Sequence, residues 1–324
     1  MKKYPYLLSY VTKDNIWGGT ALLDPENGWN VKADTPVVGE AWKLTVRAKE
    51  NSRILNGEYA GKELGEVLRA CPALIGNAYK DPTFPLLIKL IDAQDNLSVQ
   101  VHPDDAYAAR VENDRGKTEM WVILDAKPGA SIVYGLRDGL TAEDFKEAVM
   151  QKRYASVLNE IPVKKGDVFF IPSGMLHAIG KGILIAEIQQ NCDLTYRVWD
   201  YDRRQADGSL RALHVEKALD VVRPFSEAEI RAIQFEAAAD GETEDSSVLA
   251  HCRYFKTERL TTCQPVAHSV PDSTFHNLLC IEGEGTLITP DGEYPIRKGD
   301  NYYLPAGLGS YTIEGHMVLL RATI

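Results

Sequence analysis

Two stretches of this chain repeat one another. KGDVFFIPSGMLHAI begins at Lys165 and KGDNYYLPAGLGSYTI at Lys298. A Lys-Gly-Asp turn, two bulky residues, an aliphatic-Pro-small-Gly turn and a closing Ile recur at a constant offset of 133 over the first thirteen positions. Agreement of this length points to two copies of one supersecondary unit. The unit reads as a β-hairpin, because Gly and Pro punctuate short apolar runs at sandwich or barrel spacing. The copies differ at one position that matters: His177 of the first falls on Ser310 of the second. A histidine needed only for architecture would have equal reason to persist in both, so the first copy is expected to carry the chemistry.

Upstream of the first copy, short strand-like runs alternate with turns: WGG at 17 to 19, DPENG at 24 to 28, then GEAWKLTVRA. PLLIKLIDA at 85 to 93 is a nearly continuous apolar run, the pattern of a strand buried on both faces, interrupted by one charge at Lys89. Helices are expected at about 59 to 68, at 141 to 158, and over 213 to 235 as two pieces broken near Pro224. Thr141 with Asp144, and Ser226 with Glu229, have the spacing of capping boxes. The acidic, small-residue-rich segment 236 to 247 is the best linker, giving an expected catalytic region 1 to 235 and a C-terminal β region 248 to 324.

A length of 324 residues is enough for two cores. The net charge of −10, with no Lys/Arg block, argues against a nucleic-acid partner. An anionic ligand would then need local positive charge, and Lys89, Lys117, Arg197, Arg203 and Arg204 are the candidates. No apolar run approaches the roughly 20 residues of a membrane span. The first residues do not read as a signal peptide, so a cytoplasmic location is expected. Five cysteines (71, 192, 252, 263 and 280) lack CxxC pairing, which argues against a disulfide framework or a cysteine zinc site.

Chemistry concentrates around LSVQVHPDD, residues 97 to 105. Ser98, Gln100 and His102 are two apart, so an extended chain projects all three from one face and Leu97, Val99 and Val101 from the other. Pro103 and two aspartates end the strand. In the next strand candidate Lys117 and Glu119 share a face. Gln100, His102, Glu119 and His177 are the set of ligand-type residues on strand-like segments facing one way. Two imidazoles, a carboxylate and an amide oxygen suit zinc or another divalent first-row ion. Glu187 and Arg197 lie ten apart around a turn at 191 to 193, a spacing open to an ion pair or to a phosphate clamp.

These motifs, LSVQVHPDD, GKTEMWVIL, FFIPSGMLHAIG and EIQQNCDLTYRVWDYDR, occur in the order found in type I mannose-6-phosphate isomerases of the short bacterial form. The chain resembles that family over most of residues 10 to 220. The resemblance implies two cupin-like double-stranded β-helix (jelly-roll) barrels, the second non-catalytic. It implies one zinc ion held by Gln100, His102, Glu119 and His177. Arg197 is implied as an active-site residue, Ser98 and Lys117 as pocket residues near the sugar phosphate, and Glu187 as a candidate acid/base. Two departures stand out: Ala41 where relatives often have Ser, and Arg203 where some longer relatives have Lys.

The implied reaction interconverts mannose 6-phosphate and fructose 6-phosphate through a cis-enediol. It needs a base for a carbon-bound proton and stabilisation of the developing oxyanion. Glu187 is the expected base, with Lys117 or a metal-bound water as alternatives. A non-catalytic cupin that binds a sugar phosphate as sensor or scaffold is the rival reading, and a metal-dependent oxygenase a third. The expected partner is a small sugar phosphate, with no nucleic acid and no membrane, and the chain a monomer or weak homodimer.

Overall fold

A computed structural model describes residues 1–236 and 245–324. Its strands form three antiparallel sheets. The first runs Val11–Lys13, Glu40–Leu44, Leu86–Ala93, Ile183–Gln190, Glu119–Ala126, Val168–Ile171. The second runs Tyr196–Trp199, Val99–Val101, His177–Ile179, Ser131–Leu136, Leu158–Pro162. The third is C-terminal apart from Tyr6–Leu7, which pairs with Asn301–Leu304. Mainly β with helical additions is therefore the architecture, and no sheet order closes on itself among the described residues.

Burial explains the first sheet. Leu86–Ala93 and Ile183–Gln190 are its central strands and are buried at every position, Lys89 and Glu187 included. Each fully buried Leu or Ile there contributes about 1.5–3 kcal/mol. The second sheet alternates instead: Val99 and Val101 enter a separate apolar cluster with Val133, Tyr196 and Val198, and the polar residues between them face the other way.

The duplicated unit is physical as well as textual. Gly166 and Gly299 have φ of 94° and 88°, and Gly174 and Gly307 have 89° and 70°. Both glycine pairs thus hold left-handed turns that disfavour other residues. Asp167 accepts from the Lys164 amide at 2.9 Å, and Asp300 from the Arg297 amide at 3.0 Å, so the turns are braced alike.

Both capping boxes form, at Thr141/Asp144 and Ser226/Glu229. The helices they start are shorter than expected: Ala142–Met150 and Glu227–Gln234. Residues 151 to 158 turn through a 3-10 segment, Tyr154–Ser156, into a strand. The helix expected at 59 to 68 begins only at Leu64, as Leu64–Ala70, and the other C-terminal piece is Val215–Val221. One helix went unread, Asp105–Val111, whose cap Asp104 accepts from the Tyr107 amide at 2.8 Å. Aspartates seen as strand terminators are here also a helix start. Of the expected linker, residues 237–244 lie outside the described residues, and 246–247 belong to the strand Ser246–His251.

Candidate active site

Two polar rows face a common pocket between the first two sheets. Across the first, register places Trp42, Lys89, Glu187 and Trp121 side by side. Across the second it aligns Arg197, Gln100 and His177. Lys89, Glu187, Gln100 and Arg197 of these rows line the pocket, together with Asn15, Glu40, Ser98, Lys117, Asp193 and Arg211.

Behind Gln100 and Lys117 of that lining, at the pocket's inner end, His102, Glu119 and His177 converge, all fully buried. His102 Nε2 lies 3.1 Å from His177 Nε2 and 3.6 Å from Glu119 Oε2, and His177 Nε2 lies 3.4 Å from Glu119 Oε1. His177 Nδ1 is 2.9 Å from the Met175 carbonyl, to which it donates, so its Nε2 lone pair points into the cluster. Burial first, then Lys117, holds His102 well below the ordinary imidazole range. Burial is also the main reason that His177 is lowered to about 4, so both rings are neutral. Neither Glu119 oxygen accepts a well-directed hydrogen bond. Burial, with Glu187 nearby, raises Glu119 to about 7.

Two neutral imidazoles and a buried carboxylate, whose cationic partner is Lys117 on one side only, turn ligand atoms toward one another. Their donor atoms lie within 4.8 Å of one another, and together they fit a divalent cation. The Gln100 amide stands 3.3 Å from His177 Nε2, beside the cluster, and can present its oxygen after rotation of the amide.

Beside this cluster runs a ladder of alternating charge. Lys117 Nζ is 2.8 Å from Glu119 Oε2 and 3.9 Å from Glu187 Oε1. Lys89 Nζ is 3.4 Å from Glu187 Oε1 and 3.3 Å from Glu40 Oε2. Trp121 Nε1 donates to Glu187 Oε2 at 3.0 Å. Burial alone would raise Glu187, but Lys117 and Lys89 outweigh it and hold the carboxyl below its ordinary value. For both lysines burial is likewise overcome by the carboxylates, and their values are raised. An ionised, desolvated carboxylate therefore sits at the pocket wall.

Ser98, Gln100, Lys117, Glu187 and Arg197 line the pocket and His102, Glu119 and His177 cluster behind it, but Glu187 and Arg197 do not pair. They belong to different sheets; Arg197 Nε instead donates to Ser98 Oγ at 3.2 Å and Nη1 to the Ala212 carbonyl at 2.9 Å. Of the cations proposed for an anion, Lys89, Lys117 and Arg197 line the pocket. Arg204 donates to the Gly208 carbonyl outside it, and Arg203 is tied to Asp95 and Asp200. Glu40, Asp193 and Arg211 went unread. A lysine in a fully buried strand demands counter-charge, and that demand was the available signal for Glu40.

Fold and site define a mainly β protein with a buried His-Glu-His cluster able to hold a metal ion behind a polar pocket. Comparison with known proteins agrees. The family model for the phosphomannose isomerase type I catalytic domain matches residues 6–118, and that for the mannose-6-phosphate isomerase cupin domain matches 246–324. The chain is 39% identical over 319 residues to mannose-6-phosphate isomerase ManA of Bacillus subtilis, covering 98% of both chains. It is 35% identical over 318 residues to the mannose-6-phosphate isomerase of Streptococcus mutans, again covering 98% of both. A crystal structure of the Bacillus subtilis mannose 6-phosphate isomerase superposes with a TM-score of 0.89 at 33% identity over 100% of both chains. A structure of mannose 6-phosphate isomerase bound with zinc and yttrium shares the fold, with a TM-score of 0.75 at 14% identity over 98% of both chains. The chain belongs to the type I mannose-6-phosphate isomerase family.

Proposed function

We propose that the pocket between the two sheets is where this chain interconverts mannose 6-phosphate and fructose 6-phosphate, as a metal-dependent aldose-ketose isomerase. The observation that carries the placement is the buried His102-Glu119-His177 cluster, joined through Lys117 to Glu187. His102, Glu119 and His177 hold zinc, with Gln100 as the fourth ligand. When bound, the ion supplies Lewis-acid polarisation of the open-chain sugar's carbonyl.

The remaining chemistry belongs to the chain itself. Glu187 takes the proton from C1 or C2 and returns it to the other carbon; Lys117 and Lys89 keep it ionised for the first half of that task. Trp121 fixes its second oxygen, so one carboxylate edge is presented to substrate. Lys117, 2.8 Å from Glu119 and 3.9 Å from Glu187, is placed to hand a proton to an enediol oxygen. Arg197, with Ser98 beside it, binds the substrate anion.

The finer architecture we propose is a catalytic cupin region over 1–235 and a non-catalytic cupin-like barrel over 248–324, where the repeat lacks a counterpart to His177. We propose a monomer or weak homodimer in the cytoplasm without a nucleic-acid partner; the net charge of −10 supports the last of these. The test is turnover: purified chain is given mannose 6-phosphate and fructose 6-phosphate is followed. Binding without conversion by metal-loaded protein would instead support a sensor.

A further inference from the structure

We infer that Arg211 is a second guanidinium for the substrate's phosphate, and that Asp200 is the positioning residue that aims it. The inference rests on the isomerase reading and concerns which end of the pocket takes the phosphate.

Arg197 and Arg211 both line the pocket, and Arg203 joins Arg211 on the carboxylate of Asp200. Burial, then Arg211, lowers the Arg197 guanidinium below its ordinary range, so the guanidinium charges are close enough to oppose one another. Asp200, itself almost fully buried, is their shared counter-ion. It pairs with Arg203 Nη2 at 2.7 Å and accepts from Arg211 through both Nε, at 2.7 Å, and Nη2. The fork-to-fork geometry fixes the Arg211 plane.

The uncommitted nitrogens decide which arginines are available. Arg203 is consumed, since Nη1 binds Asp95 Oδ2 at 3.0 Å and the Asn96 carbonyl at 2.7 Å. Arg211 lines the pocket with Arg197, and its Nη1 has no hydrogen-bond partner among the described residues. Arg197 has its Nε on Ser98 and Nη1 on Ala212, which leaves Nη2 uncommitted. Three guanidiniums against Asp200 and Asp95 leave one positive charge in surplus on a chain of net charge −10. A dianionic phosphate matches a pair of free guanidinium edges and that surplus.

Backbone conformation points the same way. Tyr201 and Asp202 follow Asp200 with φ of 56° and 54°, both left-handed, and the Arg203 amide closes the turn on the Asp200 carbonyl at 3.0 Å. Such a turn favours Asn-Gly; here two residues with side chains hold it. The Tyr201 ring packs on Trp199 at 4.3 Å, and the Asp200 ion pairs lock its base. Strain maintained by surrounding contacts is characteristic of a functional position.

The test compares wild type, Arg211→Ala and Arg211→Lys for kcat/KM on mannose 6-phosphate and on unphosphorylated mannose, and measures inorganic phosphate binding by calorimetry. In Arg211→Ala the ratio of the two kcat/KM values should fall about ten- to a hundredfold, mainly through KM, and phosphate binding should weaken in step. Arg211→Lys should recover part of both, because charge remains while the fork is lost. Asp200→Asn should lower the same ratio, with little further effect in the Arg211→Ala background. An unchanged ratio with unchanged phosphate affinity in folded Arg211→Ala overturns the inference. Should that variant not fold, wild-type values in Arg211→Lys overturn it equally. Phosphate affinity is read without turnover, so failure of the isomerase reading shows separately, as a wild type that binds phosphate and converts no sugar.

Discussion

His102 and His177 meet Nε2 to Nε2 at 3.1 Å although 75 residues separate them, His102 lying just past the strand Val99–Val101 and His177 opening the neighbouring strand His177–Ile179. His177 spends its ring proton on the Met175 carbonyl, so only His102 can donate across this contact, and doing so leaves its own buried Nδ1 an acceptor without a hydrogen-bond partner among the described residues. A cation between them and Glu119 resolves the conflict. Replacing His177 with Ala should therefore reduce bound metal to well below one ion per chain while the far-UV circular dichroism stays native. Metal analysis of the purified variant checks it; full occupancy would contradict the ligand assignment.

Glu187 ties the pocket to the reaction. Glu187→Gln keeps the size and the Trp121 contact but removes the base, so kcat should fall by about 10²- to 10⁴-fold. Zinc content should stay near wild type because Glu187 is not a ligand. Turnover close to wild type would transfer the base role to another group, Lys117 first.

Lys89 holds Glu40 and Glu187 together at the centre of a fully buried strand. Lys89→Met leaves the buried Glu187 and the half-buried Glu40 without their shared cation, and the expected cost is about 3–5 kcal/mol of unfolding free energy. Urea denaturation at neutral pH measures it. A loss within about 1 kcal/mol would mean that Lys117 and solvent compensate, a result ordinary for surface pairs only.

Acid should act on the C-terminal sheet through two histidines. His276, whose Nδ1 meets Tyr311 Oη at 2.9 Å, is lowered to about 3, and His268, 3.1 Å from Arg321, to about 4, in each case by burial first and Arg321 second. An unfolded histidine titrates near 6.5, so between these values the unfolded chain binds more protons and stability rises with pH. The contribution is intact above about pH 6.5 and is lost as pH falls toward 4 and then 3. The urea midpoint should fall between pH 7 and 5 in wild type and fall less in His276→Gln. Equal slopes in the two would contradict it.

Much of this site was legible because strand alternation has a period of two. Ser98, Gln100 and His102 could be assigned one face, and Lys117 with Glu119 another, from spacing alone. The duplicated turn was legible because its glycines and aspartates do the same backbone work twice. What remained hidden depends on pairing between distant strands. Nothing in the local sequence says that Glu40 and Glu187 lie either side of Lys89, and the Glu187-Arg197 spacing misled because the turn between them carries the chain from one sheet to another. Arg211 was invisible for a similar reason: it follows an irregular segment, and only the Asp200 contact places it.

Isomerisation of a sugar phosphate in this pocket depends, on the function proposed above, on a metal held by His102, Glu119 and His177. One measurement reaches it most directly: conversion of mannose 6-phosphate to fructose 6-phosphate by chain stripped of metal with a chelator, then supplied with zinc in known ratio. Stripping should abolish turnover with the fold intact, and recovery should saturate at one zinc per chain. Undiminished turnover by metal-free chain, or saturation without any recovery, would contradict it.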